Sequence, residues 1–154
     1  MTIMTYVLLF LLLSLLQGHQ AHECSCRHAP TQERTRWGND NVTFSTVSRV
    51  RVLKGSITVG SEQPKANALV EIYTDPDAIL LLNSPEREER RARQRRISAC
   101  LTDAEGRFCI AGLPPGRYEL RCSAEAFQTV SQTIRVVTTG RVKKRIKVRL
   151  PVAT

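Results

Sequence analysis

Two kinds of side chain in this sequence have the chemistry to act: cysteines and a dense set of cations. The five cysteines, Cys24, Cys26, Cys100, Cys109 and Cys122, can bridge, bind metal or act as nucleophiles. Nucleophilic catalysis of the Ser-His or Cys-His kind and His-based metal binding need a histidine nearby, and the three histidines, His19, His22 and His28, all lie at the N-terminal end. The rest of the chain therefore has no Ser-His or Cys-His pair and no His-based metal site. Asp75-Pro76-Asp77 sets two carboxylates beside a loop, where they read as strand-ending turn residues rather than calcium ligands. Gly106, Gly112 and Gly116 lack the strand-to-helix context of a phosphate loop. These residues argue against an enzyme, a metal centre, a cofactor or a small-molecule substrate.

The cations are more numerous. Lys and Arg total 23 against 14 Asp and Glu, a formal charge of +9, and no charged side chain precedes Glu23. Two groups stand out: Arg87, Arg90, Arg91, Arg93, Arg95 and Arg96 in one segment, and Lys143, Arg145, Lys147 and Arg149 alternating near the end. Both suit a polyanion such as lipopolysaccharide, a sulfated glycan or nucleic acid. The competing reading is a solvated, charge-laced face, because Glu86, Glu88 and Glu89 dilute the first group and few aromatic rings are free to stack.

The elements that carry these residues are mostly strands. Asp103-Ala104-Glu105-Gly106 has turn chemistry, with Asp able to bond its own backbone and Gly tolerant of positive φ. Arg107–Ala111 and Arg117–Cys122 alternate, with Phe108 and Ile110, then Tyr118, Leu120 and Cys122, on the inner face. Gly112-Leu113-Pro114-Pro115-Gly116 between them excludes helix and central strand. If the Asp103–Gly106 turn closes a hairpin, Leu101 opposes Phe108 and Cys100 opposes Cys109, close enough to bridge. Cys122 is then a buried thiol or a partner for Cys24 or Cys26.

Elsewhere, Arg49–Val59 reads as the opening strand, with a bulge or bend at Gly55, and Asn67–Thr74 as the next. Thr129–Val137 places Val130, Ile134 and Val136 together. Arg141–Leu150 buries Val142, Ile146, Val148 and Leu150, and Lys144 breaks the register. Residues 75–97 form an insertion. Within it Asn83–Arg96 reads as a helix capped by Ser84, with Pro85 in its first turn, early glutamates and Glu86–Arg90 and Glu89–Arg93 pairs. It has no apolar stripe, so the Ile79–Leu82 run is expected to dock it.

The stretch Thr-Asp-x-x-Gly-x-Phe-x-Ile-x-Gly-Leu-Pro-Pro-Gly-x-Tyr-x-Leu at 102–120 resembles the signature of carboxypeptidase regulatory-like domains. Gly55-Ser-Ile-Thr-Val and Asn67-Ala-Leu-Val-Glu-Ile-Tyr extend the resemblance over roughly Val50 to Leu150. It implies an all-β fold, a seven-stranded antiparallel Ig-like or transthyretin-like β-sandwich, and a domain without peptidase residues of its own.

The domain expected at 49–154 follows two other segments. Tyr6–Leu16 is apolar over signal-peptide length, too short to cross a bilayer, which makes 1–21 a signal peptide, with Gly18 or Ala21 as cleavage positions and a retained anchor as the alternative. Residues 22–48 form a leader or linker, with an Asn41-Val42-Thr43 glycosylation pattern. The expected location is secreted, periplasmic or at the cell envelope. The expected role is structural or interactive, toward a protein partner or an anionic surface. A narrower reading is metalloproteinase inhibition through Cys24-Ser25-Cys26, which requires cleavage after Glu23 so that Cys24 supplies a free amine.

Overall fold

The computed structural model describes residues 27–28, 41–74 and 85–153. Among them the strands are β1 (Arg27–His28), β2 (Asn41–Val50), β3 (Leu53–Val59), β4 (Gln63–Pro64), β5 (Leu69–Tyr73), β6 (Arg96–Leu101), β7 (Arg107–Ile110), β8 (Gly116–Ser123), β9 (Thr129–Val136) and β10 (Ile146–Leu150). One helix, α1 (Pro85–Arg93), precedes β6.

The strands build two sheets. One runs β1-β6-β5-β8-β9-β2; the other runs β10-β3-β4, with β7 also on β3. Most ladders are antiparallel, but β2 joins β9 and β10 joins β3 in parallel. Alternation decides what lies between the sheets. Val70, Ile72, Leu120, Cys122, Val130, Ile134 and Val136 from the first sheet meet Leu53, Ile57, Phe108, Ile110, Ile146, Val148 and Leu150 from the second. The expected all-β sandwich is what forms.

The 102–120 motif is architectural throughout. Thr102 is buried; its hydroxyl donates to the Lys65 carbonyl at 2.6 Å and accepts from the Ala68 amide at 2.9 Å. Asp103 Oδ1 accepts from the Arg107 amide at 2.7 Å, and Gly106 has φ +69°. A Cβ at Gly106 would meet the Ile57 carbonyl oxygen at 2.5 Å. Tyr118 closes the next turn by donating to the Pro114 carbonyl at 2.8 Å.

The hairpin expected around Asp103–Gly106 does not form. Cys100 lies opposite Val70 and His28, whereas Cys109 lies opposite Lys54, in the other sheet. The backbone bonds explain why: the Thr102 amide donates to the Ala68 carbonyl, while the Gly106 carbonyl accepts from Ile57. The turn passes the chain from one sheet to the other, so Cys100 and Cys109 are not bridged. Cys100 and Cys122 are buried and outside any disulfide, whereas Cys109 is disulfide-bonded.

Other boundaries move as well. Residues 41–48, expected in the leader, lie in β2, and residues 51–52 turn the chain into the second sheet. Gly55 is not a bulge but a close approach. It sits between Phe108 and Ile146 in the ladders, and a Cβ there would lie 2.4 Å from the Ile146 carbonyl oxygen and 2.4 Å from Phe108 Cζ. Arg96 begins β6 rather than ending the helix, and the final strand starts at Ile146, so Val142 and Lys144 precede it. Residues 75–84, including Asp75, Asp77 and the Ile79–Leu82 run, lie outside the described residues.

Candidate functional site

Alternation puts Glu71, Tyr73, Glu119 and Arg121 on the face of the first sheet that points away from the core. An uncovered sheet would leave them in water. Here Glu71 and Glu119 are each 0% exposed and Arg121 2%. The cover is α1 and the turn that follows it. Pro85 and the early glutamates start the helix, the arginines close it, and the Gln94 amide donates to the Arg90 carbonyl at 3.1 Å. The Thr74 hydroxyl accepts from the Arg95 amide at 3.0 Å, clamping the returning chain beside β5.

Burial at this cost requires each charge to be answered. Arg121 Nε donates to Glu119 Oε1 at 2.9 Å, and its guanidinium stacks 3.8 Å from the centre of the Tyr73 ring. Gln94 bridges the same pair: its Nε2 donates to Glu119 Oε2 at 2.6 Å and its Oε1 accepts from Arg121. Arg91 reaches Glu119 Oε1 at 3.9 Å from the helix. Glu71 Oε1 accepts from Arg96 at 3.0 Å and from the Tyr73 hydroxyl at 2.9 Å. Burial and the Glu71 charge push the Tyr73 pKa from 10.0 up to about 12. Two carboxylates, three guanidiniums, a phenol and an amide thus form one network beneath the helix.

This network separates the arginines of the insertion into buried and exposed ones. Arg91 and Arg96 are largely buried and face Glu119 and Glu71. Arg93, exposed, pairs with Glu89 at 3.6 Å, and Arg90 and Arg95 are exposed. The side chain of Arg87 lies outside the described residues. The helix has no apolar stripe because its inner face meets carboxylates. The sequence carried a hint, a charged i, i+2 pair of Glu119 and Arg121 on a strand, but the same pattern marks a wet sheet face.

The second cationic group sits elsewhere. Lys143, Arg145, Lys147 and Arg149 line a cleft of about 560 Å³ with Ser48, Val130, Gln132, Ile146 and Val148. Ser48 and Gln132 were not singled out by sequence. Both occupy inward positions, beside Val50 and between Val130 and Ile134, where the alternation calls for apolar side chains. Among the described residues, no group of three or more His, Cys, Asp or Glu side chains can hold a metal ion, and no helix is long and apolar enough to cross a membrane. Cys24 and Cys26 lie outside the described residues.

Comparison with known proteins follows the fold. The model of the carboxypeptidase regulatory-like domain matches residues 52–151. No curated protein matches the sequence. Among solved structures the chain is similar to 3-chlorocatechol 1,2-dioxygenase from Rhodococcus opacus 1CP, at 10% identity and TM-score 0.43, covering 84% of this chain and 68% of that one. It is similar to catechol 1,2-dioxygenase from Pseudomonas arvilla C-1, at 14% identity and TM-score 0.40, covering 92% and 68%. The enzyme from Acinetobacter sp. ADP1, inhibited by bound mercury, gives 12% identity and TM-score 0.41, covering 95% and 69%. Likeness this distant carries no argument about chemistry.

Proposed function

Because this chain belongs to the carboxypeptidase regulatory-like domain family, we propose that it is an exported, non-catalytic β-sandwich module with a structural or interaction role at the cell envelope or outside the cell. The observation that supports the non-catalytic reading is the network under α1. A general acid or base needs an open approach and a proton to exchange. Glu71 and Glu119 are instead buried and held by Arg96, Arg121 and Gln94, so the groups best suited to chemistry serve to hold the returning chain against the sheet.

Export is supported by the apolar Tyr6–Leu16 segment and by the disulfide at Cys109, a bond that oxidising compartments favour. The test is expression of the full chain in its own host, with fractionation and intact-mass measurement of the product. The expected product lies outside the cytoplasm, begins after Gly18 or Ala21, and carries oxidised Cys109. Cytoplasmic protein retaining Met1 and a reduced Cys109 would overturn the reading. A product beginning at Cys24 would instead favour the metalloproteinase-inhibitor alternative.

A further inference from the structure

The cleft bounded by β2, β9 and β10 contains a polar group that the fold does not explain. Gln132 is 8% exposed, and its Nε2 is buried without a hydrogen-bond partner among the described residues. Leaving such a donor dry is unfavourable, and an apolar residue would cost nothing at this inward position. Ser48, 3% exposed on β2, is a second polar residue at an inward position on the neighbouring strand. Its Oγ lies 3.5 Å from Lys143 Nζ, and the Lys143 amide donates to the Arg49 carbonyl at 2.8 Å, which fixes the loop carrying the ammonium beside the opening.

Four consecutive residues of β10, Ile146 to Arg149, line the same cleft. Their side chains alternate between faces, so a run of four must also present backbone. Among the described residues β10 pairs with β3 alone, leaving its other edge toward the cleft. The cleft therefore gathers an ammonium, a buried amide donor, the Arg145 guanidinium and a strand edge, with no carboxylate among the described residues of its lining.

We infer that this cleft binds a tetrahedral oxyanion, the phosphate or sulfate group of a monoester, held by Gln132 and Lys143 with Arg145 at the mouth. Such a group offers several acceptor oxygens and no donor, which matches a lining rich in donors. A volume of about 560 Å³ leaves room for the molecule that bears the ester. Among the described residues the lining is cationic, polar and aliphatic. The inference goes beyond the module role and stands independently of export.

The test is calorimetric titration of the purified full chain at low ionic strength with inorganic phosphate, inorganic sulfate and a heparin-derived tetrasaccharide. Gln132→Met keeps the shape of the side chain and removes the amide, and Lys143→Gln removes the ammonium from an exposed position. Arg93→Gln, on α1, makes the same charge change away from the cleft. The expected result is binding of at least one inorganic ion, weakened about tenfold or more by Gln132→Met and Lys143→Gln, the order of one hydrogen bond to a charged partner. Arg93→Gln is expected to bind within about twofold of the parent, as a distant charge is screened.

Tighter binding of the tetrasaccharide than of sulfate, with the same variant pattern, assigns the ester to a sulfated glycan; preference for inorganic phosphate over both assigns it to phosphate. Binding of neither ion overturns the inference, as does binding that Arg93→Gln weakens as much as Lys143→Gln. If Gln132→Met fails to fold by thermal melting, Lys143→Gln against Arg93→Gln decides alone.

Discussion

Arg121 is the residue on which the covered face depends. It forms a two-bond contact with Glu119, takes the Gln94 carbonyl oxygen and lies on the Tyr73 ring. Removing one member of a buried pair strands the other, so Arg121→Met is expected to cost about 3–5 kcal/mol, a large part of the stability of a domain this size. Urea denaturation should show a lower midpoint with an unchanged slope, and replacing Glu119 and Arg121 together by methionine should cost less than Arg121→Met alone. A single variant within about 0.5 kcal/mol of the parent, the range of ordinary surface substitutions, would contradict the burial. Tyr73 gives a second test through pH. Its pKa is raised from 10.0 to about 12, chiefly by burial and then by Glu71, so the folded state holds the proton more tightly than the unfolded chain. That contribution is complete below pH 10 and is lost as pH rises toward about 12. Burial also pushes the Cys122 thiol up, a loss that begins lower and is common to parent and variant. Tyr73→Phe should therefore flatten the fall in unfolding free energy between pH 10 and 12, and an unaltered slope would remove Tyr73 from the network.

At the scale of elements, β3 is the strand that others are fitted around, and Gly55 is why they fit. It pairs with Phe108 on one side and Ile146 on the other, and its missing Cβ leaves space for the Phe108 ring. Gly55→Ala should destabilise by about 3 kcal/mol, toward the upper end for overpacking, because one of the clashing atoms is a backbone carbonyl. Hydrogen exchange should show lost protection at Ile146–Leu150, and unchanged protection there would mean that β10 does not depend on this contact. Alternation made β7, β8 and β9 and the inner core legible from sequence, as did the turn chemistry of Asp103 and Gly106. It did not say which strands pair. The Asp103–Gly106 turn has local hairpin chemistry, yet the Thr102 amide bonds to Ala68 and the Gly106 carbonyl to Ile57, and long-range partners are invisible in a local pattern. The covered face was missed for a related reason. Glu71, Glu119 and Arg121 alternate as a wet face does, and no local pattern shows that Arg91, Gln94 and Arg96 come back over them. Gln132 was the readable exception, a polar residue in the Val130, Ile134 and Val136 series.

For the whole molecule, the cysteines report on how the two sheets and the N-terminal segment are held. Cys100 and Cys122 both lie opposite Val70, one on each side of it. With neighbouring strands about 4.8 Å apart, their Cα atoms are separated by roughly 10 Å, beyond the reach of about 7 Å for a disulfide. They behave as small apolar core residues, and burial disfavours the thiolate that alkylation needs at Cys122. Cys109 is on the second sheet, at a half-buried position, and is oxidised. Alkylation of the native exported protein without reductant should therefore label neither Cys100 nor Cys122, and unfolding without reductant should expose both. Cys109 should react only after reduction, and the non-reduced peptide map should link it to Cys24 or Cys26. A bridge to that segment would tie the N-terminal arm to the second sheet and close a loop of more than 80 residues between Cys26 and Cys109, long enough for cross-linking to stabilise by about 4–5 kcal/mol in the chain-entropy account. Cys109→Ser should then lower the thermal midpoint while leaving Cys100 and Cys122 protected. A map joining Cys109 to Cys100 would restore the hairpin that the sheet pairing rules out, and free Cys109 in native exported protein would remove the staple altogether.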